Sequence, residues 1–438
     1  VTQQQTPRPV AAGARATAPV STAAPGAARG EDAAQVAARR RVLIVSTLTF
    51  TIFFAVWVMF AIVGLPLRDE LGLTTGEFAL LAAIPILTGS VLRVPLGMLT
   101  DRYGGRIVMV GLLIVTAIPT LFVAYADTYL QLITLAFFVG LAGTSFAVGV
   151  AWVSAWYPRE YQGVALGTFG AGNVGASITK LLAPTLVTLV GSAGLLGGVI
   201  PGGWRFVPFL YAIALLVTAA LVWRLSPAGD PLPAKGRSLV DLSRPLVVMR
   251  VWRFGLYYMV VFGAYVALAL WLPKYYVDVY GTSLFLAGVL TSLFIFPASL
   301  LRPVGGWLSD LFGARRVTFA SFGAIGAASL VLFLPMGIVP FTALVVAIGV
   351  SMGIGKASVY KYVPEYFPKD VGAVGGLVGA IGGIGGFILP LAFAWILGQT
   401  DRPESAFYVL FALAVVCIVW LAAVVHDIHL HPEHGVQE

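Results

Sequence analysis

Long apolar runs broken by short polar stretches dominate this chain, and twelve of them reach the ~20 residues a helix needs to cross a bilayer core. They fall at 42–64, 78–99, 106–126, 130–156, 163–189, 205–224, 254–273, 284–307, 316–334, 340–362, 373–397 and 406–425. With 59% hydrophobic and only 11% charged residues, a water-soluble domain could not cover so much apolar surface. A membrane β-barrel would show alternating segments of about ten residues, and none occur. The expected fold class is an all-α membrane protein of twelve transmembrane helices.

The net charge of +8 would direct a soluble protein towards nucleic acid, but here Lys and Arg concentrate in every second loop. Arg39–Arg40–Arg41, Arg102 with Arg106, Arg159, the connection from Arg224 to Arg253, Arg315 with Arg316, and Lys369 fall on one side. The positive-inside rule assigns that side to the cytoplasm. Both termini are expected there, the partner of the apolar surface is the lipid bilayer, and no nucleic-acid partner is expected. Residues 1–38 are rich in Ala, Pro, Thr, Gly and Gln and carry no apolar run of signal-peptide length, so they read as a disordered cytoplasmic tail. Residues 427–438 form a second tail. Cys417 lies inside the last apolar run, so no disulfide within the chain is expected.

The chain repeats itself. Arg93, Gly97, Asp101, Gly104 and Arg106 recur as Arg302, Gly306, Asp310, Gly313 and Arg315, so R-x(3)-G-x(3)-D-x(2)-G-x-R occurs twice with identical spacing. Trp156–Tyr157–Pro158 before the fifth helix is echoed by Tyr366–Phe367–Pro368 before the eleventh. Two pseudo-symmetric six-helix bundles follow, at 39–226 and 252–426, joined by a polar linker at 227–251. Duplicated bundles place substrate near the bilayer midplane between the halves and rock around it. The D-x(2)-G-x-R segments resemble the cytoplasmic signature of the major facilitator superfamily. Physically they read as a latch, in which Asp101 and Asp310 pair with basic residues or helix ends on one side only.

Ionisable residues at membrane depth are costly and mark function. Within the runs stand Arg93, Lys180, Arg302, Lys356 and Lys361, with no Asp or Glu at a central position. A buried cation without a buried acid must find its counter-charge elsewhere, and a substrate can supply it. Arg93 and Arg302 occupy equivalent places in the halves, so their guanidiniums should face one another across the central cavity, each offering a planar fork suited to a planar oxyanion. Cation transporters and many sugar–proton symporters need membrane carboxylates, which are absent here.

Two helices are unusually rich in glycine, which costs up to about 1 kcal/mol in a helix interior. The fifth reads G-x-G-N-x-G through Gly170, Gly172, Asn173 and Gly175; the eleventh reads G-x-x-G-G-x-G-G through Gly379, Gly382, Gly383, Gly385 and Gly386. Close helix packing explains such density, as does the approach of backbone to a small anion. With the paired arginines, these two stretches resemble the signatures of the nitrate/nitrite porter family, the NarK-like proteins of the major facilitator superfamily. The resemblance implies a prokaryotic inner-membrane transporter of nitrate, and of nitrite, in which Arg93 and Arg302 clamp the anion beside Asn173. It further implies Phe146, Tyr258 and Phe262 as the pocket wall, although aromatics at helical spacing also serve plain packing.

Lys361 with Val363–Pro364 resembles the branch associated with proton-coupled uptake. Nitrate binds no proton near neutral pH, so symport requires a protein group to titrate, and a desolvated lysine, Lys356 or Lys361, fits that need. Lys361 could instead snorkel to the cytoplasm. Lys180, seven residues after Asn173 on the same face, could attract anions from outside. The expected function is nitrate uptake by proton symport in a monomer; nitrate/nitrite antiport, or transport of another small anion, is the alternative.

Other classes fit less well. A haem-bearing subunit needs axial ligands inside helices, but His426, His429, His431 and His434 all lie at the C-terminus, so no cofactor, metal or enzymatic activity is expected. No nucleophilic constellation is available, since the histidines and Cys417 cannot meet in a central cavity. A receptor would carry a folded output domain, which neither tail is long enough to form.

Overall fold

The computed structural model describes residues 32–430. Nine of its helices are long and apolar enough to cross a membrane, namely α1 (Ala33–Trp57), α2 (Gly76–Tyr103), α3 (Gly105–Val123), α4 (Tyr129–Trp156), α6 (Gly203–Leu225), α7 (Met249–Tyr280), α10 (Ile338–Tyr366), α11 (Val371–Thr400) and α12 (Ser405–Leu430). A tenth span, α8, is a pair, Leu284–Leu300 and Arg302–Phe312, bent by 41°. The remaining two are shorter or broken. Helix α5 comprises Gln162–Gly170 and Gly175–Leu189 across the 3-10 turn Ala171–Val174, and α9 is Ala314–Val331, whose first turn carries Arg315 and Arg316. The expected twelve spans are thus present as helices.

Their ends follow local chemistry. Thr74 with Glu77 and Thr128 with Gln131 form capping boxes that start α2 and α4. Gly104 and Gly313, the glycines of the repeated motif, turn the chain into α3 and α9 at φ of 90° and 85°, which a side chain would strain. Asp32 accepts from the Ala34 amide and the Ala-rich segment that follows favours helix, so α1 begins at Ala33. This corrects the expected tails where they adjoin the helices: 33–38 and 427–430 are helical, while 1–31 and 431–438 lie outside the described residues. The latch aspartates stand in the last helical turns of α2 and α8.

Helices α3 and α6 pack together in the first half, as do α9 and α12 in the second. Both pairs turn residues such as Ile118, Phe122, Leu221, Leu330 and Val419 outwards. Such an apolar exterior suits acyl chains and not water. The halves meet along α2 with α11 and along α5 with α8. Both seams depend on glycine: a Cβ on Gly97 would overlap the Gly372 carbonyl, and one on Gly306 the Gly163 carbonyl.

Candidate functional site

Arg93 and Arg302 each follow a break in their helix, at Leu92 and Leu301. Pro95 follows Arg93 by two residues and Pro303 follows Arg302 by one, and a proline has no N–H for the carbonyl one turn back, so both helices reset beside an inward-pointing arginine. Each arginine is 1% exposed. Arg93 donates from Nε to the Gly143 carbonyl at 2.9 Å and from Nη1 to the Gly379 carbonyl of α11, in the opposite half. Gly143 belongs to a 3-10 turn, Gly140–Thr144, inside α4, where carbonyls leave the α-helical ladder. Trp57, Phe146 and Phe262 face the Arg93 guanidinium at 5.3, 5.7 and 5.8 Å from their ring centres.

Arg302 is held less completely. Phe146 lies 5.3 Å from its guanidinium as well, so this one ring neighbours both cations. Its Nε and Nη1 are buried without a hydrogen-bond partner among the described residues. Asn173, fully buried in the 3-10 turn of α5, has neither its amide nitrogen nor its oxygen satisfied, and the Tyr258 hydroxyl lacks a well-formed bond. Buried polar groups are nearly always paired, so these unmet groups on three helices stand out. Tyr258 stacks on Phe262 at 5.0 Å and on Phe146 at 6.2 Å, beside a π-helical turn, Met259–Gly263. The residues expected as clamp and wall therefore come together between the halves.

The glycines make room for the arginines crosswise. A Cβ on Gly170 of α5 would strike the Arg302 guanidinium, whereas one on Gly379 or Gly383 of α11 would come 3.2 Å from Arg93 atoms. Gly382 lies against the Tyr258 ring, Gly385 against Met259 and Gly386 against Val266; Gly172 and Gly175 let α5 approach Phe50 and Thr51 of α1. Four of these, Gly172, Gly175, Gly385 and Gly386, thus serve plain helix packing, and the others border the two arginines and Tyr258.

The three lysines diverge. Lys356 is fully buried, donates to the Ala298 carbonyl at 3.0 Å and lies 3.2 Å over the Tyr265 ring. Lys361 does not reach the site, because its ammonium is tied to Asp310 at 2.7 Å and to the Ser309 carbonyl at 2.9 Å. Lys180 lines a cavity that opens between the halves away from the latch, with Trp57, Ser177 and Tyr265 among its walls. Sequence reading missed Tyr360, which meets Phe146 and Tyr258 edge-on at 4.8 and 4.5 Å and donates to the Gly375 carbonyl. Its signal was its place one turn after Lys356. Trp57, which gave none, was missed too.

At the other end the halves are locked. The Asp101 carboxylate accepts from the Gly372 and Ala373 amides at 2.8 to 3.2 Å, at the start of α11, and Asp310 accepts from Gly163 and Val164 near the start of α5. A carboxylate on a helix N-terminus is favoured by charge and by otherwise unmet donors. Arg106 stands apart from Asp101: its amide donates to Asp230 of the linker and its guanidinium stacks on Trp223 at 4.1 Å. Arg315 lies within electrostatic reach of Tyr362. Asp101→Ala strands two amides at about 1–3 kcal/mol each, so the latch end should open. In a Cys417→Ser background, spin labels at Arg159→Cys and Lys369→Cys should move apart in Asp101→Ala; an unchanged distance distribution would show that Asp101 does not hold the end shut.

The Major Facilitator Superfamily model matches this chain over residues 45–295 and 280–435. The "Probable nitrate/nitrite antiporter NarK1" of Thermus thermophilus is 53% identical over 402 residues, covering 87% of this chain and 91% of the relative. The "Nitrite extrusion protein" of Bacillus subtilis is 34% identical, covering 86% and 93%. A "Probable nitrate transporter NarT" of Staphylococcus epidermidis is 31% identical, covering 86% and 94%. Among solved structures, the human organic anion transporter MFSD10 superposes with a TM-score of 0.71 at 14% identity, over 87% of this chain and 99% of that one. The E. coli fucose:proton symporter FucP gives 0.68 at 16%, with the same coverage.

Proposed function

We propose that this chain, which belongs to the major facilitator superfamily and within it to the nitrate/nitrite porter family, carries nitrate, and nitrite, across the plasma membrane by alternating access. The observation that carries this reading is the set of orphaned donors on Arg302, Asn173 and Tyr258 beside a second buried arginine. A planar anion of three oxygens can take one donor on each edge and cancel part of the charge that Arg93 and Arg302 bring together. Phe146, a neighbour of both guanidiniums, limits the space, which favours an anion of a few atoms over a bulky one. The latch end is the cytoplasmic end in this reading, since the basic residues cluster there, and both termini then lie in the cytoplasm.

Proton symport is the finer reading. No carboxylate touches either arginine among the described residues, so a coupled proton must ride on another group. Lys356, dry and close to Arg302, is the group placed to do so, whereas Lys361 is committed to Asp310. Proteoliposomes loaded with buffer alone should then accumulate nitrate under an inward proton gradient, and Lys356→Gln should abolish the accumulation while exchange persists. Uptake that requires trapped nitrite would make the protein an exchanger, in keeping with the name of its Thermus relative. Absence of any flux from well-folded protein would refute the transport reading itself.

A further inference from the structure

The cavity that opens away from the latch carries one charged residue among the described residues that line it, Lys180 of α5. The other walls are apolar or neutral, with Trp57, Ser177, Tyr265 and Ile295 among them. Lys180 is an exposed residue that lines this cavity, yet it makes no ion pair or hydrogen bond among the described residues. A lysine that only braced a helix end would lie on a carbonyl or an acid, as Lys356 and Lys361 do. Lys180 also stands two helical turns from Asn173, about 10 Å along α5. The cavity floor leads inwards on both sides: Trp57 is a neighbour of Arg93, and Tyr265 carries Lys356 on its ring.

We propose that Lys180 is an anion-capture station at the mouth of the cavity, which raises the local concentration of the monovalent oxyanion before it reaches the clamp. The proposal rests on the anion-transport reading above. Cations lining a low-dielectric cleft focus the field and speed the arrival of opposite charge, and salt weakens the effect steeply. Lys180 acts on entry only; it contributes nothing to the bound state, because it lies two turns from the orphaned donors. The expected signature is a change in KM that depends on ionic strength, with the maximal rate untouched.

Initial nitrate uptake into proteoliposomes tests this for wild type, Lys180→Arg, Lys180→Gln and Lys180→Glu, at about 10 mM and about 500 mM ionic strength set with a bulky organic salt. At low salt Lys180→Gln should raise KM about three- to tenfold and Lys180→Glu further, while Lys180→Arg stays near wild type. At high salt the four proteins should converge. A KM in Lys180→Gln equal to wild type at low salt overturns the proposal, and so does a rise that persists undiminished at high salt, which would assign Lys180 a structural or direct binding role. Loss of nitrate flux in the wild type would instead bring down the transport reading, so the two failures are distinguishable.

Discussion

Arg302→Lys is expected to lower nitrate transport by about ten- to a hundredfold while the protein folds and reaches the membrane normally. Lysine keeps the charge but loses the fork, and a hydrogen bond to a charged group is worth about 1.5–3 kcal/mol, which is that range in affinity. Folding should be spared, because Arg302 Nε and Nη1 hydrogen-bond to no other group of the protein among the described residues. Arg93→Lys should differ. Arg93 also ties Gly143 of its own half to Gly379 of the other, so its replacement removes a cross-half bond as well as a ligand donor. Transport should fall at least as far, with a lowered melting temperature that Arg302→Lys does not show. Uptake assays beside thermal denaturation in detergent check both, and near-normal flux in either variant would count against the clamp.

Gly170→Ala is expected to be nearly as damaging to transport, although it adds one methyl group. That methyl would occupy the space of the Arg302 guanidinium, which can swing away at little conformational cost but then no longer meets the anion. Gly175→Ala, five residues on, should behave oppositely. Its methyl meets the Thr51 carbonyl of α1, a backbone group that cannot step aside, so overpacking should cost about 1–3 kcal/mol of stability. Transport per folded molecule should change less. Comparing KM with melting temperature for the pair separates a glycine that shapes the site from one that packs helices.

Much of this arrangement was legible in the chain. The twelve runs, the repeated motif and the lack of membrane acids required only composition and spacing, whereas the crosswise pairing of Arg93 with α11 and of Arg302 with α5 emerged only in the structure. Less legible was anything set by a departure from ideal helix. The 3-10 turns that present Gly143 and Asn173 and the π-helical turn after Tyr258 are single-residue changes in hydrogen-bond register, which periodicity cannot resolve. Lys361 lay inside an apolar run yet serves the latch, because a lysine stem reaches far from its Cα and depth along the sequence is not depth of the charge. The Asp230 contacts were invisible for another reason. An acid in a polar linker looks solvated, whereas here it accepts from the Arg106 amide and from the indole N–H groups of Trp152 and Trp156 at 2.8 to 2.9 Å, which anchors the linker to the first half.

Binding of the anion between Arg93 and Arg302 is read out by calorimetric titration of the purified protein with sodium nitrate. Wild type should bind one nitrate per chain, and the Arg93→Lys/Arg302→Lys protein, still folded by its melting curve, should show no binding over the same range. Equal nitrate affinity in the two proteins would place the anion elsewhere and contradict the account.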